Sequence, residues 1–178
     1  MKSILEKAAN IKLLLCDLDG VLTDGYLYLT DNDIEHKAFH VHDGFGLKLL
    51  MLSGVEVGII TTSKTPIVSK RMDSLGIKHV YQGQINKQAA FDDVTTKLSL
   101  SDHEVAYIGD DLPDLPFIQR AGLGVAVGNA HHMVKAGAAL VTEKPGGHGA
   151  VRELCDLIMQ SQHSLDRALA AYQDLHVS

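Results

Sequence analysis

Short apolar runs alternate with longer stretches of helical spacing along most of the chain. Ile11 to Cys16 is a short apolar run that stops abruptly at Asp17-Leu18-Asp19-Gly20, the pattern of a buried first strand with polar groups gathered at its carboxyl end. Tyr26 to Thr30 and Ile34 to His40 alternate and are separated by Asp31-Asn32-Asp33, which predicts a β-hairpin directly after that strand. Gly44 to Leu52 predicts a short helix, with Phe45, Leu47, Leu49, Leu50 and Leu52 as its apolar positions, and Val55 to Thr61 is the next apolar run. The same pairing repeats: helix at Pro66 to Leu75, strand at His79 to Tyr81, helix at Lys87 to Leu98, strand at Val105 to Gly109. Asp114 to Ala121 (helix), Gly124 to Val127 (strand), His131 to Ala136 (helix) and Ala139 to Val141 (strand) follow. After a Gly-rich turn at Lys144 to Gly149, one long amphipathic helix from near Ala150 is expected to close the chain.

Alternation of this kind predicts an α/β fold: an open, mostly parallel sheet with helices on both faces, and a ligand site outside the carboxyl ends of the strands. With 178 residues, 46% of them hydrophobic, the chain can bury one good core and is short for two, so residues 1–178 are read as a single domain. The formal charge of −6 and the lack of a basic run argue against nucleic acid as a partner. No stretch approaches the roughly 20 apolar residues that cross a bilayer, so no membrane partner is expected. Cys16 and Cys155 lack metal-ligand spacing and read as packed thiols, which suits a reducing, cytoplasmic setting.

Chemistry concentrates where strands end. Asp17 and Asp19, then Thr61, then Lys87, then Asp110 with Asp111 and Asp114 all fall at one edge of the expected sheet. At ~4 Å two carboxylates repel by about 4 kcal/mol at an effective dielectric near 20, so such a cluster needs a cation. Oxygen ligands with open positions suit Mg²⁺, which commonly takes one or two carboxylates and a substrate phosphate. A phosphoryl group drawn in by Mg²⁺ and Lys87 meets Asp17 as nucleophile, with Asp19 as general acid and base. Thr61 offers its hydroxyl and nearby backbone N–H groups to the phosphoryl oxygens, and Lys87 neutralises charge as it builds. The histidines, including His36, His40, His42 and the pair His131-His132, form no zinc pattern. His40 and His42 are expected on one face of a strand.

These residues in this order resemble the four motifs of the haloacid dehalogenase superfamily of phosphotransferases: Asp17-Leu18-Asp19-Gly20-Val21-Leu22-Thr23, Ile59-Ile60-Thr61, Lys87, and Gly109-Asp110-Asp111-Leu112-Pro113-Asp114. The resemblance implies the superfamily's three-layer, Rossmann-like fold. It also implies that Mg²⁺ is held by Asp17, the main-chain carbonyl of Asp19, and Asp110, with Asp114 in support and Asp111 either a ligand or a structural partner. Asp24-Gly25, Phe39 to Gly46, Tyr81 to Lys87 and Gly146 to Glu153 are further similar to the 3-deoxy-D-manno-octulosonate 8-phosphate phosphatase family, over nearly the whole chain. That family has no separate cap domain and forms homotetramers in which neighbours cover each site. By the same resemblance a sugar phosphate is contacted by His40, Val41, His42, Asp43, Gly44, Lys48, Ser63, Arg71 and Lys87.

Three positions depart from the family pattern: His42 and His148 stand where Arg is usual, and Thr62-Ser63 where Gly-Arg is usual. Neither Ser nor a neutral His supplies the planar bidentate fork of Arg. A phosphatase of a nonulosonate 9-phosphate, of the sialic acid or deaminated type, therefore remains an alternative substrate reading, and a catalytically idle oligomeric homologue an alternative class. A two-component receiver domain also combines acidic residues, Thr and Lys, but it carries its phosphorylated Asp after the third strand, where this chain has Thr61-Thr62-Ser63.

Overall fold

The computed structural model describes residues 3–31 and 35–177. A short first helix, α1 (Ile4–Ala8), precedes the sheet and has no counterpart in the apolar pattern. It is set by a capping box: Ser3 Oγ accepts from the Glu6 N–H at 3.2 Å and the Glu6 carboxylate accepts from the Ser3 N–H at 2.6 Å.

Next come β1 (Leu13–Cys16), the two-residue strands β2 (Tyr28–Leu29) and β3 (Glu35–His36), α2 (Val41–Leu52), β4 (Glu56–Ile60), α3 (Pro66–Leu75) and β5 (His79–Tyr81). The second half adds α4 (Gln88–Lys97), β6 (Val105–Gly109), α5 (Leu115–Arg120), β7 (Leu123–Ala126), α6 (His132–Gly137), β8 (Leu140–Val141), α7 (Ala150–Ser161) and α8 (Leu165–Val177). Six strands form one sheet in the order β5-β4-β1-β6-β7-β8, every neighbouring pair parallel. Strands buried on both faces need no alternation, and all four residues of β1, like all five of β6, are buried.

The chain leaves β1 to build β4 and β5 on one side, then returns to build β6, β7 and β8 on the other. Right-handed crossovers place the helices of these two excursions on opposite faces. One set is α2 with α1, α3, α7 and α8. The other is α4, α5 and α6, in which Phe91 of α4 stacks on Phe117 of α5 at 5.8 Å and Arg120 bridges Asp92 and Asp102. The reversal of direction beside β1 is the switch point at which sheets of this kind bind their ligands, outside the carboxyl ends of β4, β1 and β6. Asp17, Thr61 and Asp110 each come immediately after one of those strands.

Three expectations are corrected. The hairpin is antiparallel as expected but shorter: among the described residues its arms pair as Tyr28 with His36 and Leu29 with Glu35, and 32–34, part of the expected turn and second arm, lie outside the described residues. Helix α2 starts at Val41 rather than Gly44, so His40 is its N-cap and His42 lies in its first turn instead of on a strand. The Gly44-Phe45-Gly46 stretch reads as poor helix, but Gly46 is where α2 and α7 approach: a Cβ there would lie 2.8 Å from Arg152 Cδ. Finally, the closing helix is two helices. His163 takes a left-handed conformation (φ 51°) and Gln162 turns inward to donate to the Ile11 carbonyl at 2.7 Å. The break folds α8 back onto α2, with Tyr172 edge-on to Phe45 at 4.9 Å and Arg167 donating to the Ser53 carbonyl. Cys16 and Cys155 are free and buried. No described helix is long and apolar enough to cross a membrane.

Candidate active site

Asp17 leaves β1 with its N–H donating to the Ile108 carbonyl at 3.0 Å, so the backbone of the central strand fixes where its carboxylate begins. The next residues turn back at once: the Leu18 carbonyl accepts from the N–H groups of Val21, Leu22 and Thr23. Gly20 permits this turn twice over. Its φ is +91°, and a Cβ would lie 2.1 Å from Asp110 Oδ2, so any side chain would push the loop off the Asp110 carboxylate.

Lys87, the N-cap of α4, crosses to the same place. Its ammonium donates to Asp17 Oδ1 at 2.5 Å and Asp114 Oδ1 at 2.7 Å, with only 4% of its side chain exposed. Asp114 Oδ1 also accepts from the Tyr107 hydroxyl at 2.8 Å, while Oδ2 accepts from the N–H groups of Asp110 and Asp111 at 3.1 and 3.4 Å. Asp114 thus holds Lys87 and the loop after β6 in position. Asp111 is exposed and caps the 3₁₀ turn Leu112–Asp114, its Oδ1 accepting from the Leu112 N–H at 2.8 Å. Thr61 is buried, and its hydroxyl accepts from the Ser63 N–H at 3.0 Å.

Asp17, Asp110 and Asp114 each offer a carboxylate oxygen within 4.8 Å of the others. Burial first, and then the charge of Asp114, raise the Asp17 pKa from an ordinary 3.8 to about 7 despite Lys87. Burial and the neighbouring Asp17, Asp114 and Asp111 carboxylates do the same to Asp110. On Lys87 burial works in the opposite sense, but Asp17 and Asp114 together outweigh it and keep the ammonium charged. The site therefore carries more negative charge than Lys87 offsets. Oxygen-only donors around that excess suit a hard divalent cation such as Mg²⁺, and Asp17 and Asp110 are better placed to take it than Asp114, whose oxygens already serve four donors.

This sets a pH dependence. Between the ordinary carboxylate value and about 7 the folded, metal-free protein holds protons that the unfolded chain has released, so its stability falls as pH rises through that window. A cation replaces those protons most easily once they have left. The rise in melting temperature on adding Mg²⁺ is accordingly expected to be small at about pH 5 and to grow to its full size by about pH 8. Melting curves with and without Mg²⁺ check this, and a Mg²⁺ effect of equal size at both pH values contradicts it.

Asp19 points elsewhere, to the hairpin side. Its Oδ1 accepts from Lys37 Nζ at 2.6 Å and from the Thr23 hydroxyl at 3.5 Å. A second group of expected contacts gathers at the amino end of α2. His40 and His42 meet edge to face at 4.9 Å, and Arg71 lies with its guanidinium 5.7 Å from the centre of the Phe39 ring and against Gly44. His40 Nδ1 and Arg71 Nε are buried with no hydrogen-bond partner among the described residues, polar atoms of the kind a polar ligand satisfies. Val41 is 71% exposed beside them, and the Ser63 carbonyl accepts from the Gly83 N–H.

Two expected contacts are placed differently. The buried Asp43 carboxylate accepts from the N–H groups of Gly149 and Arg152 at 3.1 and 2.7 Å, so it caps α7 and pins the Gly-rich turn, whose Gly147 N–H donates to the Val21 carbonyl. Lys48 lines a groove with Val55, Glu56 and Tyr172 at the amino end of β4, the opposite end of the sheet from Asp17. Tyr107 and Lys37 are the residues the sequence reading passed over. Tyr107 has the signature of a core strand aromatic and nothing more. For Lys37 the available signal was a Lys two positions after Glu35 and two before Phe39 in an alternating stretch.

A family profile described as haloacid dehalogenase-like hydrolase matches residues 53–154. The 3-deoxy-D-manno-octulosonate 8-phosphate phosphatase KdsC of Escherichia coli is 48% identical over 165 residues, covering 93% of this chain and 88% of that protein. An HAD superfamily (subfamily III A) hydrolase from Legionella pneumophila superposes with a TM-score of 0.95 at 53% identity, covering 96% of this chain and 94% of that one. The phosphatase from Moraxella catarrhalis, solved with magnesium, phosphate and KDO, superposes at 0.91 with 43% identity over 95% of this chain and 97% of that one.

Proposed function

We propose that this chain, which belongs to the haloacid dehalogenase-like hydrolase family and within it to the 3-deoxy-D-manno-octulosonate 8-phosphate phosphatases, hydrolyses that sugar-acid phosphate to KDO and phosphate through an aspartyl-phosphate on Asp17. The observation that carries the reading is the buried Asp17 carboxylate at the end of the central strand, with Lys87 and Asp110 beside it.

Asp17 and Asp110, with the Asp19 main-chain carbonyl, would hold Mg²⁺, which supplies positive charge to the phosphoryl oxygens and lets an anion approach a carboxylate. The protein's own groups do the rest. An Asp17 oxygen forms a bond to phosphorus as the bond from phosphorus to the sugar oxygen breaks, and Asp19 gives that oxygen its proton. Asp19 then takes a proton from water as the water oxygen attacks phosphorus, and the bond to Asp17 breaks to restore the carboxylate and release phosphate. Lys87 and the Thr61 hydroxyl stabilise charge on the transferring group. Val41, His40, His42, Gly44, Ser63 and Arg71 receive the sugar acid, and the unpartnered His40 Nδ1 and Arg71 Nε support that role. Asp43 and Lys48 serve it only indirectly within one chain, Asp43 by holding α2 to the Gly-rich turn.

We further read the chain as one domain without a cap, whose site is covered by its neighbours in a homotetramer. Tyr26, Leu27 and Leu29 of the hairpin are each about 70% exposed and Ile85 is 89% exposed, an apolar surface suited to burial between subunits. A nonulosonate 9-phosphate is the second reading, favoured by His42, Ser63 and His148 where the family pattern has Arg.

A panel assayed for phosphate release with Mg²⁺ decides between them. The octulosonate 8-phosphate is expected to exceed each nonulosonate 9-phosphate in kcat/KM by about tenfold or more. The reverse ranking would transfer the assignment, and light scattering on the same preparation checks the tetramer.

A further inference from the structure

The two carboxylates of the Asp17-Leu18-Asp19 stretch each face their own lysine. Lys87 serves Asp17. Lys37, just beyond β3 on the returning arm of the hairpin, lies with its ammonium 2.6 Å from Asp19 Oδ1 and 2.6 Å from Glu35 Oε1. The Lys37 side chain is 2% exposed, whereas the Asp19 side chain is 34% exposed. The lysine therefore grips the carboxylate from its covered side, on the hairpin, while about a third of the Asp19 side chain stays open to solvent. The Thr23 hydroxyl also donates to Oδ1, at 3.5 Å. An exposed surface ion pair would be worth little, but a pair with one side chain almost fully covered resists reorientation.

We propose that Lys37 is a positioning residue for phosphomonoester cleavage: by anchoring Asp19 Oδ1 it turns Oδ2 toward the ester oxygen and holds it there for proton transfer. The proposal rests on the phosphatase reading above. In the step concerned, the bond from Asp17 to phosphorus forms, the bond from phosphorus to the ester oxygen breaks, and the proton of Asp19 moves to that oxygen, leaving an Asp19 carboxylate whose new charge lies beside the Lys37 ammonium. Glu35 holds Lys37 in turn, so the same hairpin that exposes Tyr26, Leu27 and Leu29 also sets the orientation of Asp19.

An ester whose leaving group departs without a proton separates this role from general support of the fold. The test measures kcat/KM, which reports the steps up to transfer onto Asp17, for wild type, Lys37→Met, Lys37→Arg and Glu35→Gln. The substrates are a series of monoesters from alkyl phosphates, including the octulosonate 8-phosphate, to p-nitrophenyl phosphate. For Lys37→Met the alkyl esters are expected to lose about 100-fold and p-nitrophenyl phosphate less than about threefold. Lys37→Arg should recover most of the alkyl activity, because a cation is restored. Equal losses on both kinds of ester, or no loss on either, overturn the proposal. Should Lys37→Met fail to assemble, Glu35→Gln carries the test, with a smaller loss confined to alkyl esters expected and a uniform loss or none counting against it. A wild-type protein that rejects the octulosonate ester but cleaves other alkyl phosphates removes the substrate assignment and leaves Lys37 to be judged on those. One inert to every ester overturns both.

Discussion

Exchange of Asp17 for Asn is expected to lower phosphate release by at least about 10,000-fold, the scale on which removal of a nucleophile acts, while the metal-free protein remains as stable as wild type or becomes more so. The two halves of this result have one cause. Asp17 is buried among carboxylates, and burial followed by the Asp114 charge holds its pKa at about 7. A carboxyl group raised in this way costs the folded state free energy once it ionises, so at about pH 8 the aspartate is a burden that a neutral amide lifts. The amide oxygen can still accept from Lys87, which keeps Asp114 as its charged partner. What the amide cannot do is attack phosphorus. Phosphate release under saturating Mg²⁺, paired with melting curves in its absence, checks both halves. Turnover at about a tenth of wild type would remove Asp17 from the nucleophile's role.

The placement of Asp17, Thr61 and Asp110 was legible because each directly follows a run of residues apolar enough to be buried on both sides. A strand of that kind belongs in the middle of a parallel sheet, and the middle of such a sheet is where its ligand crevice opens. Lys87 was legible by its position after the short strand β5, although nothing local says that its ammonium reaches Asp17 and Asp114, 70 and 27 residues away. The features that escaped depend on contacts made at long range. Asp43 caps α7 through N–H groups 106 and 109 residues further on, so the sequence shows only an Asp in front of a Gly. Tyr107 is one more buried aromatic until the loop after β6 brings Asp114 back over it. The break between α7 and α8 is likewise set from outside the segment, by Gln162 reaching Ile11 and by α8 seating on α2. Helical periodicity continues on both sides of that break, so the apolar pattern reads straight through it.

Replacing Lys87 by Met is the second large expectation, and unlike the Asp17 exchange it strikes fold and chemistry together. With its side chain 4% exposed, Lys87 has traded hydration for two carboxylates, and its removal leaves Asp17 and Asp114 buried side by side, with neutral donors on Asp114 from the Tyr107 hydroxyl and the N–H groups of Asp110 and Asp111. Breaking a buried pair by deleting one partner costs about 3 kcal/mol, because the remaining charge keeps its desolvation penalty. The loss should depend on pH with a definite sign. Without the ammonium, the Asp17 pKa rises further above its ordinary value, so the folded state is penalised increasingly as pH climbs through that raised value and is spared below it, where the carboxyl holds its proton. Urea unfolding is therefore expected to show most of the deficit at about pH 8 and little at about pH 5, with Mg²⁺ recovering part of it. Phosphate release should drop by about 1,000-fold even where the variant is fully folded, since no other described ammonium reaches Asp17 to neutralise the transferring group. A variant that keeps wild-type turnover, or one whose instability is the same at both pH values, is incompatible with an ammonium held between two buried carboxylates as the organising charge of the site.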